Sequence, residues 1–206
     1  DGLSAPSLMK TVLITLGVIA LLVVAVFAFG ASSYNGLVNQ SQDVDAKWAQ
    51  VQNVYQRRAD LIPNLVNTVK GAANFEKSTL TAVTDARASV GRVTLDPNKA
   101  PTNQAQLDSF NAAQGQLSSA LSRLLVVAEN YPNLKSTENF QTLQAQLEGT
   151  ENRISVERGR FNEAVQAYNS SVRHFPTVLF AGVFGFQPRA YFTATPGAEK
   201  APEVKF

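Results

Sequence analysis

The chain has 206 residues, 45% of them hydrophobic and 17% charged, a balance that suits a folded domain with its own core and excludes a disordered chain. With 18 Lys and Arg against 16 Asp and Glu the formal charge is +2, so no bulk field recommends nucleic acid or a polybasic membrane patch as partner. Cysteine is absent, which excludes disulfides, thiolate nucleophiles and cysteine-bound zinc together.

The single methionine is Met9, so residues 1–9 read as an upstream or processed segment that does not bear on the fold. From Thr11 to Ser33 there is no charge, and Thr11 to Gly30 is long enough as a helix to cross a hydrocarbon layer of roughly 30 Å. Residues 10–33 are therefore expected to form a transmembrane helix in contact with the lipid bilayer. Lys10 lies close on one side, whereas the first positive charge on the other side is Lys47. That bias puts the amino terminus in the cytoplasm and the rest of the chain on the exoplasmic side.

Beyond the apolar run the sequence reads as helices. Leu37, Val44, Trp48, Val51, Tyr55, Ile62, Leu65, Val69, Leu80 and Val83 recur at steps of three, four and seven for most of the run, which predicts one long helix over Tyr34–Val90. Pro63 falls inside it, lacks the amide hydrogen that would bond the carbonyl of Ala59, and costs about 3 kcal/mol in a helix interior. The stripe keeps its phase through Pro63, so a kinked continuous helix is expected, with Asn64 or an arginine of the Arg57–Arg58 pair supplying the freed carbonyl with a donor. Gly91–Asn103 collects Gly, Pro, Asn and Asp and reads as a connector.

A second helix over about Gln104–Asn130 carries Leu107, Phe110, Leu117, Leu121 and Leu124. YPNLKST is a turn in which Ser136 or Thr137 can cap a third helix over Thr137–Phe175, whose stripe includes Phe140, Leu147, Ile154, Phe161 and Tyr168. Three stripes with short connectors predict an all-α, elongated, up-down-up antiparallel bundle continuous with the membrane helix, occupying residues 34–192. A short hydrophobic helix or hook over Thr177–Phe186 packs on the bundle end or the membrane surface. The aromatic residues Phe184, Phe186, Tyr191 and Phe192 read as an end-cap, and 193–206 as a loose tail.

Two charges lie on the apolar stripes, Arg58 on the first helix and Glu157 on the third, and the second helix adds Gln114. A buried guanidinium without a partner is costly, so Asp60, Glu148, Glu151 and Glu157 are its candidate acids. The residues Arg57, Arg58, Asp60, Pro63, Asn64, Glu148, Glu151 and Glu157 thus form a candidate polar layer that fixes register, or a groove that contacts a partner. Catalytic chemistry lacks its inventory. His174 is the only histidine and sits at a helix end, where it caps carbonyls or packs; Glu148 and Glu151 have no third ligand between them; no nucleophile elbow and no phosphate loop occur. No cofactor, no metal and no nucleic acid is expected.

Several stretches together carry a resemblance: YNGLV at 34–38, WAQVQNVYQRRADLIPNLVNTVKG at 48–71, DAR at 85–87, AENYPNLKS at 128–136, FQTLQAQLEGTENRI at 140–154 and YNSSVRHFP at 168–176. In this order they resemble the LemA family of bacterial membrane-anchored helical proteins. The resemblance implies a membrane helix followed by a helical bundle, single-pass in the bacterial cytoplasmic (inner) membrane, without an established enzymatic activity. Some members have a lipoprotein-type cysteine just before the YN, where this chain has Ala31, Ser32 and Ser33, so lipid attachment does not carry over. The function expected is a non-enzymatic structural or adaptor protein that self-assembles as a homo-oligomer or joins another membrane protein. The alternative is a receptor or small-ligand binding module using the kinked polar layer around Arg57, Arg58 and Pro63.

Overall fold

The computed structural model of the chain describes residues 5–193 apart from 73, 94, 97 and 98. Residues 1–4 and most of the tail expected over 193–206 lie outside it. The described residues are all-α, with six helices: α1 (Ala5–Lys70), α2 (Lys77–Arg92), α3 (Gln104–Ala128), α4 (Pro132–Lys135), α5 (Glu138–Arg173) and α6 (Thr177–Val183). They fall into two compact units, one holding the chain up to Gln42 with Tyr168–Pro188, the other Asp43–Ala167 with the residues from Arg189.

In the first unit the early part of α1 leaves every large apolar side chain from Val12 to Phe29 exposed. This stretch is long and apolar enough to cross a membrane, with a mean hydropathy of 3.1. Beyond it Leu37 is buried, as are Tyr168 and Val172 on the last turns of α5. At the end of α6, Gly185 takes φ of 76°. The amide of Phe186 bonds the carbonyl of Ala181 at 2.9 Å and that of Gly185 bonds Gly182 at 3.3 Å, the paired closure of a left-handed helix stop. The reversal brings Phe184 and Phe186 to Tyr34, at ring separations of 5.1 and 5.7 Å.

The second unit is a bundle, and here the path of the chain differs from the sequence expectation. The helix expected over Tyr34–Val90 is two helices, because α1 stops at Lys70 and α2 begins at Lys77. Gly71 starts the break and Asn74 holds it at φ of 64°, a conformation that Asn tolerates better than most side chains. The Tyr131 hydroxyl donates to the Asn74 carbonyl at 2.9 Å, and the Phe75 ring lies 4.8 Å from that of Tyr131. The turn is thus tied to the far end of α3.

This break changes the order of the bundle. Trp48 packs on Phe110 and Phe161, whereas Arg58, ten residues further along α1, meets Gln114 and Ser118 on α3 and Glu151 on α5. Positions on α3 therefore rise along with α1 while those on α5 fall. The helix after the connector runs parallel to α1, with α2 as the returning element, so the three-helix up-down-up order becomes four helices, up-down-up-down. Ile62, Leu65 and Val69 of α1, Leu80 and Val83 of α2, Leu117, Leu121 and Leu124 of α3, and Phe140 and Leu147 of α5 form one buried cluster. Burial of each such Leu, Ile or Phe contributes about 1.5–3 kcal/mol. Asn103 caps α3 by accepting from Ala105 N at 2.8 Å, and Thr137 Oγ1 accepts from Phe140 N at 3.4 Å at the start of α5.

Pro63 does sit inside a continuous helix. The carbonyl it frees, that of Ala59, accepts from Nε of Arg87 on α2 at 3.3 Å, and not from Asn64 or the arginine pair. The contacts give the reason for Arg58: its guanidinium is spent on α3 and α5, whereas Arg87 of α2 reaches the Ala59 carbonyl. Arg87→Ala is expected to cost about 0.5–1 kcal/mol in the parent chain and close to nothing in Pro63→Ala, where the restored amide bonds Ala59. A double-mutant cycle by urea unfolding checks this coupling; equal costs in both backgrounds would contradict it.

Candidate functional site: the Arg58 layer

Arg58 is 2% exposed, among the largest side chains to be so fully enclosed. The repeat of the α1 stripe puts it there between Tyr55 and Ile62. Its guanidinium is answered by two other helices. Nη1 donates to Ser118 Oγ at 2.9 Å and to Glu151 Oε2 at 2.8 Å; Nη2 donates to Gln114 Oε1 and, at 3.4 Å, to the Gln114 carbonyl. Gln114 and Ser118 are four residues apart, so α3 presents both toward the fork from successive turns. The fixed planar donors of arginine suit such a three-way contact, which an ammonium does not reproduce. Nε remains buried without a hydrogen-bond partner.

Tyr55, one turn before Arg58, lies under the guanidinium, 5.1 Å from its carbon to the ring centre. Burial raises the pKa of the Tyr55 hydroxyl, while the positive charges of Arg158 and Arg58 oppose that rise and Glu151 adds to it. The phenol is therefore neutral around pH 7 and offers no base. Tyr55, Arg58, Gln114, Ser118, Glu151 and Arg158 line a recess of about 270 Å³ that is rich in donors and has one acid. Ser118 carries the one aliphatic hydroxyl among the lining residues; its oxygen accepts from Arg58 Nη1, the nitrogen that also holds the Glu151 carboxylate. Among the described residues no group of three or more His, Asp or Glu side chains is arranged to hold a metal ion.

The other sequence candidates are dispersed. Glu157 pairs with Arg160 at 2.8 Å, Asp60 accepts from Gln56 at 2.7 Å, and Glu148 accepts from Gln144 at 3.0 Å. Arg57, Pro63 and Asn64 are exposed. Of the four candidate acids, then, the structure brings only Glu151 to Arg58. In the other unit, His174 Nδ1 is 2.6 Å from the carbonyl of Ser170 at the end of α5.

A second polar tie has no counterpart in the sequence reading. Asp45 accepts from the amide of Ala100 at 2.8 Å and from Arg189 Nη1 at 3.3 Å, and Arg189 also donates to the Ala100 carbonyl at 3.0 Å. Asn162 bonds Phe192 reciprocally, at 2.8 and 2.9 Å, and seats that ring against Trp48 and Phe161. The aromatic end-cap is thus divided, with Phe192 in the bundle and Phe184 and Phe186 in the other unit. Asp45 on the α1 stripe's flank was the one available signal, and its partner is 144 residues away.

These features define a class: an all-α bundle with a buried arginine layer, preceded by a helix able to cross a membrane. The LemA family model matches residues 47–206, and the chain belongs to that family. Among curated relatives, Magnetosome protein MamQ 1 and MamQ 2 of Paramagnetospirillum magneticum are each 28% identical to it over 192 residues, covering 86% of this chain and 71% of the relative. Protein LemA of Metamycoplasma hominis is 22% identical over 161 residues, covering 78% of this chain and 69% of the relative.

Two variants test the layer. Glu151 is 57% exposed on its side chain while Arg58 is enclosed, so losing the acid strands a buried cation, whereas losing Glu148 strands nothing. Glu151→Gln is expected to cost about 1–3 kcal/mol and Glu148→Gln below about 0.5 kcal/mol, both read by urea unfolding. For Tyr55, a raised folded pKa means a contribution complete below the unfolded value of 10.0 and lost as the pH climbs from there through the folded value. The parent chain should therefore lose more stability than Tyr55→Phe between about pH 8 and about pH 11; parallel losses would contradict the burial account.

Proposed function

We propose that this LemA family protein is a membrane-anchored, non-enzymatic structural or adaptor protein. In this reading residues 10–33 are the transmembrane segment, with Thr11 to Gly30 in the hydrocarbon, residues 34–192 are the bundle, and 1–9 and 193–206 flank them. The observation that carries the reading is the uncharged stretch from Val12 to Phe29, whose large apolar side chains are all exposed. Two of the relatives are called magnetosome proteins, which fits a role in organising membrane-bound assemblies. Lys10 on one flank, with no positive charge on the other before Lys47, favours a bundle on the exoplasmic side of a bacterial inner membrane. The Arg58 layer then serves register, and association uses the outward faces of the helices, either with further copies of the chain or with another membrane protein.

A second reading, a receptor or small-ligand module, is favoured by the recess of about 270 Å³ beside Arg58 and by the unpartnered Nε at its wall. One experiment separates the two. The full-length protein is extracted gently from its native membrane, and the mass and every co-purifying chain are determined. A homo-oligomer or a stable foreign partner is the expected result. A lone monomer would overturn the adaptor reading and leave the ligand module.

A further inference from the structure

The segment from Phe175 to Pro188, FPTVLFAGVFGFQP, has no charged residue, lies between Arg173 with His174 and Arg189, and is not used by the Arg58 layer. Several of its large side chains face outward: Phe175 is 80% exposed, Leu179 62% and Val183 81%. At seven residues α6 is far too short to span a bilayer, for which about 20 are needed. In water such a surface is unfavourable at roughly 25 cal/mol per Å².

Its position within the first unit places it beside the apolar run. Phe180 of α6 packs on Phe29, with ring centres 5.6 Å apart, and on Gly30, where a Cβ would come within 3.0 Å of the Phe180 ring. Gly30 therefore permits an approach at which a larger residue would press on the Phe180 ring. At about 1.5 Å per residue, the 20 residues from Thr11 to Gly30 cover roughly 30 Å, so this contact falls at the end of the apolar run. Tyr34, one turn on, meets Phe184 edge-on and has the apolar body and polar tip of a side chain at a membrane interface. Between α6 and the run lies an apolar groove of about 730 Å³ with walls from Leu22, Val26, Phe27, Tyr34, Phe180 and Phe184. Leu22, Val26 and Phe27 belong at once to the groove and to the exposed apolar surface of the run.

We propose that α6 is a second membrane-contacting element, lying in the interfacial layer of the bilayer, with phospholipid acyl chains filling the groove between it and α1. The geometry is that of an interfacial apolar helix, held in place by Phe180 against Gly30 and ended by the Gly185 reversal. The proposal rests on α1 spanning the membrane.

The absence of cysteine from the sequence makes the test direct. Single substitutions Leu179→Cys, Val183→Cys and Phe184→Cys are made in the full chain, spin-labelled, and reconstituted in phosphatidylcholine and phosphatidylglycerol vesicles. Leu21→Cys, within the run, and Val156→Cys, an exposed apolar site on α5, are the references. Collision rates with oxygen, which partitions into lipid, and with a water-soluble nickel chelate are compared. The expected result is an oxygen-to-nickel ratio severalfold above that of Val156→Cys at all three α6 sites. Ratios equal to Val156→Cys while Leu21→Cys reads as lipid would overturn this proposal alone; a water-like Leu21→Cys would overturn the membrane anchor as well.

Discussion

A guanidinium taken out of water must be answered by the protein, and Arg58 is answered from α3 and α5 at once. Hydrophobic stripes alone permit helices to slide or rotate by a turn at modest cost. A buried cation whose donors meet Ser118, Gln114 and Glu151 does not permit it, because each slip would leave charge or amide unpaired. The layers on either side follow from this height: the aromatic cluster of Trp48, Phe110 and Phe161 on one side, and the Ile62, Leu117, Leu124 and Leu147 core on the other.

Pro63, directly after the core residue Ile62, would be a defect if considered alone, yet it belongs to the same scheme. Ala59, between Arg58 and Pro63, gives up its intrahelical bond and receives Arg87 from α2 instead. A fourth helix is thereby tied to the turn that bears the buried arginine. The DAR stretch at 85–87 acquires a role through this contact: Ala86 faces the core while Arg87 reaches the α1 backbone.

Much of this was legible in the sequence, and the reasons for the remainder are physical. Periodicity located α3 and α5 to within a few residues and put Arg58 and Gln114 on buried faces, because a stripe at steps of three and four can only mean one side of a helix. The break after Lys70 escaped because Val69 and Leu80 are eleven residues apart, close to three helical turns, so the stripe stays in phase across the turn. Only Gly71 and Asn74 marked it. Which of the four candidate acids meets Arg58 was not legible, because spacing gives the face of a helix and not its height relative to a neighbour. Asp45 with Arg189, and Ala59 with Arg87, belong to long-range contacts that no local pattern encodes.

The bundle thus presents a fixed polar layer inside, with Arg58 held between Gln114, Ser118 and Glu151. The most direct test asks whether Arg58 sets register. Spin labels at Val126→Cys on α3 and Val156→Cys on α5, both exposed sites, report the distance between the helices by pulsed electron resonance. Arg58→Lys keeps the charge and removes the fork. A single narrow distance in the parent chain, broadened or split in a folded Arg58→Lys variant, is the predicted result; an unchanged narrow distance would contradict it.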